Sequence, residues 1–146
     1  MMEAADRLIV FTLSSSKYAL FLRNVAEVME PPRIFPLPHA PHFFPGVINF
    51  HGNLVSVLDL ARFLVDAPRN VHGKLLVLDT SVAHLALWVD VVENVGSADV
   101  VLEEFASDEP LVEKVLAMAD GEVKMLSVEK LLEKLEEILS ARPVGT

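Results

Sequence analysis

The chain has 146 residues, no cysteine and a formal net charge of −9 at pH 7, and 52% of its residues are hydrophobic. This composition excludes disulfides and cysteine-bound metal centres, and the negative charge argues against binding to nucleic-acid phosphates. The N-terminus lacks the basic segment of a secretory signal, and no apolar stretch approaches the length of a membrane span. We therefore expect a cytoplasmic single domain over residues 1–146, with no direct membrane insertion.

The charge is unevenly distributed along the chain. Residues 1–73 carry six basic and six acidic side chains, whereas residues 74–146 carry six basic and fifteen acidic ones. One interpretation is a solvated acidic face that keeps the protein in solution. The other is a docking face for a basic partner.

The first thirty residues predict a β-hairpin and one short helix. Arg7–Leu13 and Lys17–Leu22 are apolar and rich in β-forming residues, and the serines between them suit a turn. Asn24–Glu30 has apolar residues at helical spacing, which predicts a short helix that ends at the following prolines.

Six of the nine prolines fall between Pro31 and Pro45. This density is compatible with a polyproline ligand for another protein, but the interspersed apolar side chains favour a stiff connector. Within it, Arg33–Leu37 is predicted as an edge strand, because such strands tolerate proline.

A second hairpin follows the connector. Its predicted strands are Pro45–Phe50 and Asn53–Leu60, with a tight turn at His51-Gly52 that requires a positive φ at the glycine. Asp59 is placed to cap a short helix over Ala61–Ala67.

The second half predicts four or five further strands. Lys74–Thr80 and His84–Asp90 form a hairpin, and the next strand begins at Val91 and breaks at Gly96. Glu103–Pro110 is predicted as a polar loop. One more strand pair surrounds the Asp120-Gly121 turn, which gives nine or ten short strands in all.

The last predicted element is a helix over Ser127–Leu139, capped by Ser127. Residues 140–146 should fray. The apolar stripe of the helix consists of Val128, Leu131, Leu132, Leu135, Ile138 and Leu139.

Few residues suit catalysis or metal binding. His39 and His42 are separated by two residues, and with His51 they offer a metal-dependent enzyme site as an alternative. No phosphate-binding loop, nucleophile motif or dinucleotide fingerprint is present, so a protein-docking role is favoured over catalysis.

The segments "KYALFLRNVAEVME" and "IFPLPHAPHFFPGVINFHGNLVSVLDLARFL" resemble the CheW-like domain family, the adaptor domains of bacterial chemotaxis. The resemblance is specific over residues 7–64 and looser over 74–139. The matching motifs are Tyr18-Ala19, Val25-Ala26-Glu27-Val28, Pro36 to Pro41, Gly46-Val47-Ile48-Asn49, Gly52 and Val57-Leu58-Asp59-Leu60.

The resemblance implies a mainly β fold, with two small five-stranded SH3-like barrels packed around a shared hydrophobic core and a C-terminal helix over 128–139. It implies an adaptor without catalytic activity or cofactor. Its expected partners are the regulatory domain of a CheA-type histidine kinase and the cytoplasmic tip of a chemoreceptor.

The resemblance also indicates a partner-binding set. His51 stands where the family has a docking arginine, beside the glutamate at position 27, and Ser56 stands where it has a proline. A diverged scaffold that binds only one partner is therefore the alternative within this class. The expected set is Val25, Glu27, Gly46, Ile48, Asn49, His51 and Gly52.

Overall fold

The computed structural model describes residues 6–141 and contains eleven β-strands and two α-helices within them. A mainly β fold is therefore confirmed, with more strands than the nine or ten predicted. The strands are β1 (Arg7–Leu13), β2 (Ser16–Phe21), β3 (Val25–Met29), β4 (Gly46–Phe50), β5 (Asn53–Asp59), β6 (Lys74–Leu78), β7 (Leu85–Val89), β8 (Val91–Ser97), β9 (Glu103–Ala106), β10 (Val112–Met118) and β11 (Gly121–Leu126). The helices are α1 (Leu60–Val65) and α2 (Val128–Ser140).

The strands form two sheets, each corresponding to one predicted barrel. The first has the order β8-β1-β2-β11-β10-β9 and the second has the order β3-β6-β7-β5-β4. The first sheet thus holds six strands rather than the expected five. Each sheet is antiparallel except for one parallel pair, β2 with β11 and β5 with β7.

The buried side chains form three clusters, one of which is shared by the two sheets. One cluster belongs to the first sheet and a second belongs to the other sheet. The third and largest takes residues from both sheets and from both helices, so it is the predicted shared core. Its members include Ile9, Phe11, Leu13, Leu20, Leu58, Leu60, Leu76, Leu87, Leu126, Leu131 and Leu135.

Two predicted elements are wrong. The Asn24–Glu30 segment is not a helix: Val25–Met29 is strand β3, antiparallel to β6. The segment predicted as the polar loop Glu103–Pro110 begins with strand β9, which pairs with β10 at the edge of the first sheet. An edge strand can carry charged residues because both of its faces and one side stay in contact with water.

The connector touches the second sheet at one point. Phe35 and Val47 exchange two backbone hydrogen bonds, with N–O distances of 2.8 and 2.9 Å. This bridge is isolated, so the predicted edge strand over Arg33–Leu37 is reduced to one residue pair. Ile34 packs against the interior of the second sheet, which supports the connector role.

Helix α2 agrees with its prediction. The Ser127 hydroxyl accepts a hydrogen bond from the Lys130 backbone N–H at 3.2 Å, as expected of the capping residue. Leu131 and Leu135 are buried in the shared core, whereas Leu139, predicted in the same stripe, is 47% exposed because it lies beyond the edge of that core. Residues 142–146 of the segment predicted to fray lie outside the described residues.

Candidate protein-binding site

The turn between β4 and β5 has the backbone geometry that its sequence requires. His51 and Gly52 form a two-residue loop between the paired residues Phe50 and Asn53, and their φ values are 49° and 85°. Two positive φ angles are typical of the turn that matches the twist of a β-hairpin. The Gly52 N–H donates to Asn49 Oδ1 at 2.9 Å, so the asparagine side chain closes the turn.

His51 and Glu27 meet although their strands lie at opposite edges of the second sheet. His51 Nε2 lies 3.5 Å from Glu27 Oε1. His51 follows the edge strand β4, and Glu27 lies on the other edge strand, β3. The contact is possible only because the sheet curls until its two edges approach, which places the pair at the closure of the barrel.

The pair is open to solvent. The side chains of His51 and Glu27 are 74% and 45% exposed, and the two carry an attractive charge only when the imidazole is protonated. The His51 ring packs edge-on against the Phe50 ring, with centroids 4.4 Å apart. Because Phe50 is buried, this contact limits the movement of the His51 imidazole.

Two exposed apolar residues lie close to the polar pair in sequence. Val28 follows Glu27 in β3, and Leu54 lies three residues after His51 in β5; both are exposed, Leu54 by 69%. The sequence-based set omits both residues. A signal was available for Leu54, because the alternation in Asn53–Asp59 places it on the face opposite buried Val55 and Val57.

A charged pair lies directly after strand β3. Lys74 Nζ donates to Glu30 Oε1 at 2.9 Å, and this hydrogen bond lowers the pKa of the Glu30 carboxyl. Glu30 therefore remains ionised wherever the protein is folded near neutral pH. The surface around β3 combines a fixed ion pair, a titratable one and exposed aliphatic groups, a mixture found in protein interfaces.

Gly46 belongs to the expected set but has a structural reason of its own. It is buried, and a Cβ at this position would collide with the Phe35 carbonyl oxygen. The glycine therefore allows the connector to approach β4. This close approach gives Gly46 a structural role beside the connector, and its role in partner binding stays a prediction.

Val25 and Ile48 also lie inside the protein surface. Ile48 has no exposed area and belongs to the interior of the second sheet, and Val25 is half-buried against the shared core. Four residues of the expected set are exposed and close together in the fold: Glu27, Asn49, His51 and Gly52.

The three histidines considered for a metal are not assembled into a site. Among residues 6–141, no group of three or more histidine, aspartate or glutamate side chains is arranged to hold a metal ion. His39 and His42 lie in the connector, and the His42 ring packs against Phe43. The alternative site built from His39, His42 and His51 is therefore wrong.

Neither helix within residues 6–141 has the length and hydrophobicity needed to cross a bilayer.

Comparisons with known proteins point to one family. The family model described as "CheW-like domain" matches residues 7–136. The chain is 25% identical over 134 residues to "Chemotaxis protein CheW" of Thermotoga maritima, with 86% of each chain covered. It is 46% identical over 41 residues to "Protein FrzA" of Myxococcus xanthus, which covers 28% of this chain and 26% of that one.

A solved structure has the same fold. The scaffolding protein TtCheW from Thermoanaerobacter tengcongensis superposes with a TM-score of 0.70 and 21% sequence identity, and 85% of each chain is covered.

Proposed function

The chain belongs to the CheW-like domain family, and on that premise we propose that it is a non-catalytic chemotaxis adaptor in the cytoplasm. In this proposal it binds the regulatory domain of a CheA-type histidine kinase and the cytoplasmic tip of a chemoreceptor, and so couples receptor state to kinase activity. The whole chain, residues 1–146, acts as one domain. It needs no cofactor.

The observation that carries the proposal is the contact between His51 and Glu27 at 3.5 Å. The family's docking arginine maps to His51, and the structure brings that position against the glutamate although 23 residues lie between them in sequence. We assign the kinase regulatory domain to this surface, with Leu54 and Val28 as its apolar part. Charged and aliphatic groups side by side give both orientation and affinity in protein interfaces.

A second partner requires a second surface, and edge strand β8 supplies one. Val91 and Val95 are exposed on this strand, while Val92 packs against the shared core. The strand therefore lies along the seam between the two sheets. An apolar surface of this kind suits the apolar face of a helix, the form expected at a receptor tip.

Calorimetric titration of the purified chain against each partner fragment tests both assignments. Glu27→Lys should weaken kinase-domain binding by about tenfold or more, because it reverses the charge at position 27 within the proposed docking surface, and should leave receptor binding unchanged. Val91→Asp should do the reverse. Glu129→Lys, an exposed change on α2, is the matched control for charge and should affect neither.

The outcomes separate the candidate functions. Binding of both fragments supports the coupling adaptor. Binding of only one of the two fragments supports the diverged scaffold. Binding of neither fragment overturns the proposal.

A further inference from the structure

A groove of about 470 Å³ lies between α1, α2 and the segment that leads into β10. Phe63 and Leu64 of α1, Ile138 of α2 and Leu111 form its apolar walls. The volume is within the range of small-molecule sites, about 300–1,000 Å³. None of its lining residues belongs to the candidate protein-binding site.

Tyr18 gives the groove a polar group that the fold leaves unused. The residue is only 3% exposed and lines the groove, and its hydroxyl forms no hydrogen bond within residues 6–141. No side-chain polar atom in the described chain is both sealed and without a partner, so the hydroxyl opens into the groove. Because the hydroxyl opens into the groove and forms no hydrogen bond within the described chain, it is available to a ligand.

The charges at the rim favour an anion. Glu109 is neutralised by Lys124, whose Nζ lies 3.0 Å from Glu109 Oε1. Lys134 is half-exposed, and its nearest carboxylate oxygen, on Glu137, is 3.8 Å away, too far for a hydrogen bond. The groove therefore offers one ammonium group, held only by a long ion pair with Glu137 on the same helix, and one hydroxyl.

We propose that this groove binds a small amphipathic carboxylate such as a medium-chain fatty acid. The carboxylate accepts hydrogen bonds from the Lys134 ammonium and the Tyr18 hydroxyl, and the hydrocarbon chain lies against Phe63, Leu64 and Ile138. Charge-assisted hydrogen bonds of this kind are about twice as strong as neutral ones. Burial raises the pKa of Tyr18, so the hydroxyl keeps its proton at neutral pH and can donate it.

Two aromatic residues of the chain can report on ligand binding. Tyr18 is the only tyrosine and Trp88 the only tryptophan, and Trp88 belongs to the interior of the second sheet, away from the groove lining. Decanoate is titrated below its micelle concentration into the full chain labelled at both residues, and NMR follows the two signals. The Tyr18 signal should move to saturation while the Trp88 signal stays in place.

Variants and a neutral analogue define the chemistry. On the Tyr18 signal, Lys134→Met should weaken decanoate binding by about tenfold, whereas Lys130→Met on the same helix should have no effect. Tyr18→Phe lacks that signal, so its binding is measured by calorimetry beside the unmodified chain and should be about three- to tenfold weaker. Decanol should bind at least tenfold more weakly than decanoate. The Trp88 signal reports whether each variant is folded. A stationary Tyr18 signal, or equal binding of decanol and decanoate with no effect of Lys134→Met, overturns the proposal.

Discussion

His51 is charged only when its imidazole is protonated, and this distinguishes it from the arginine at the matching position of the family. Histidine is the side chain that gains its positive charge between about pH 8 and pH 5, whereas arginine is charged throughout. The pair with Glu27 is an ion pair only when the imidazole is protonated. If the pair contributes to docking, the affinity must depend on pH.

We predict that affinity for the kinase regulatory domain rises as the pH falls from 8 to 5.5. His51→Arg should abolish this dependence and tighten binding at pH 7.5 by about 0.5–1 kcal/mol, a modest gain because both side chains are exposed. Calorimetry across the pH range measures both effects, and His72→Arg in an exposed loop is the control. Equal affinity at all pH values, with no gain in His51→Arg, would show that binding depends on other residues.

Asp59 is a second single residue with a role of its own, and this role is structural. It is buried, its Oδ1 accepts from the Arg62 backbone N–H at 3.2 Å, and its Oδ2 lies 3.3 Å from Arg69 Nη1. Asp59→Asn keeps the helix cap but removes the charge that pairs with Arg69. We expect it to lower the free energy of unfolding by about 1–3 kcal/mol.

Asp66→Asn is the matched control, because Asp66 pairs with Arg62 at 3.4 Å in solvent. Exposed pairs of this kind contribute less than about 1 kcal/mol. Urea denaturation of both variants gives the comparison. Equal effects would mean that burial of Asp59 does not strengthen its interactions.

At the scale of elements, the β4–β5 turn depends on its glycine. Gly52→Val should destabilise the protein by about 1–3 kcal/mol, because a β-branched residue is strained at a φ of 85°. No atom lies within 4 Å of a Cβ at this position, so backbone strain is the whole effect. Gly96→Val, which has equal space and lacks the positive φ, should be tolerated. Unchanged thermal unfolding and partner binding in Gly52→Val would contradict the turn assignment.

Helix α2 is part of the core and does not swing free. Leu131→Asp should cost several kcal/mol, because it places an unpaired charge at a fully buried position. Leu139→Asp, the same change at a 47% exposed position of the same helix, should cost less than about 1 kcal/mol. Denaturant titration separates the two. Similar behaviour of both variants, or full stability after deletion of residues 128–146, would make α2 a detached element.

At the scale of the whole molecule, ion pairs connect elements that are distant in sequence. Lys17 on β2 lies 3.1 Å from Asp120 in the β10–β11 turn and 3.1 Å from Glu93 on β8. The hydrogen bond with Asp120 raises the pKa of Lys17 and lowers the pKa of Asp120. The pH dependence of stability follows from the directions of these two pKa shifts.

A carboxyl with a lowered pKa stabilises the fold above its unfolded pKa of about 3.9, and this contribution is lost as the pH falls through the folded value. A lysine with a raised pKa stabilises below about 10.4, and its contribution is lost as the pH rises through the folded value. We therefore predict that the Lys17–Asp120 contribution is constant between about pH 5 and 9 and declines at both ends. Urea denaturation from pH 2.5 to 11 should show a shallower decline in Lys17→Met than in wild type; identical profiles would contradict the assignment.

Local sequence patterns predicted most strands because apolar runs and turn residues act over a few positions. They misassigned β3, since the spacing of Val25, Val28 and Met29 fits a helix as well as a half-buried strand. Pairing with β6, more than forty residues away, decides between them. The charged residues of β9 suggested a loop, although β9 is an edge strand. Only its pairing with β10 identifies it as a strand.

The candidate site, too, was predictable from the sequence only in part. The His51-Gly52 turn was predictable from its own residues, whereas the approach of Glu27 was available only through the family resemblance. That approach depends on the closure of a sheet whose edges are distant in sequence. The groove at Tyr18 had no sequence signal, since α1, α2 and the segment before β10 converge only in the folded chain.

As the proposed adaptor, this chain makes kinase activity depend on receptors. The most direct test of this role is the autophosphorylation rate of a CheA-type kinase mixed with receptor-containing membranes, measured with and without the purified chain and with and without receptor ligand. Coupling predicts a rate that responds to ligand only when the chain is present, a response lost with Glu27→Lys and retained with Glu129→Lys. A rate that ignores the chain, or that responds to ligand equally well without it, would contradict the adaptor function.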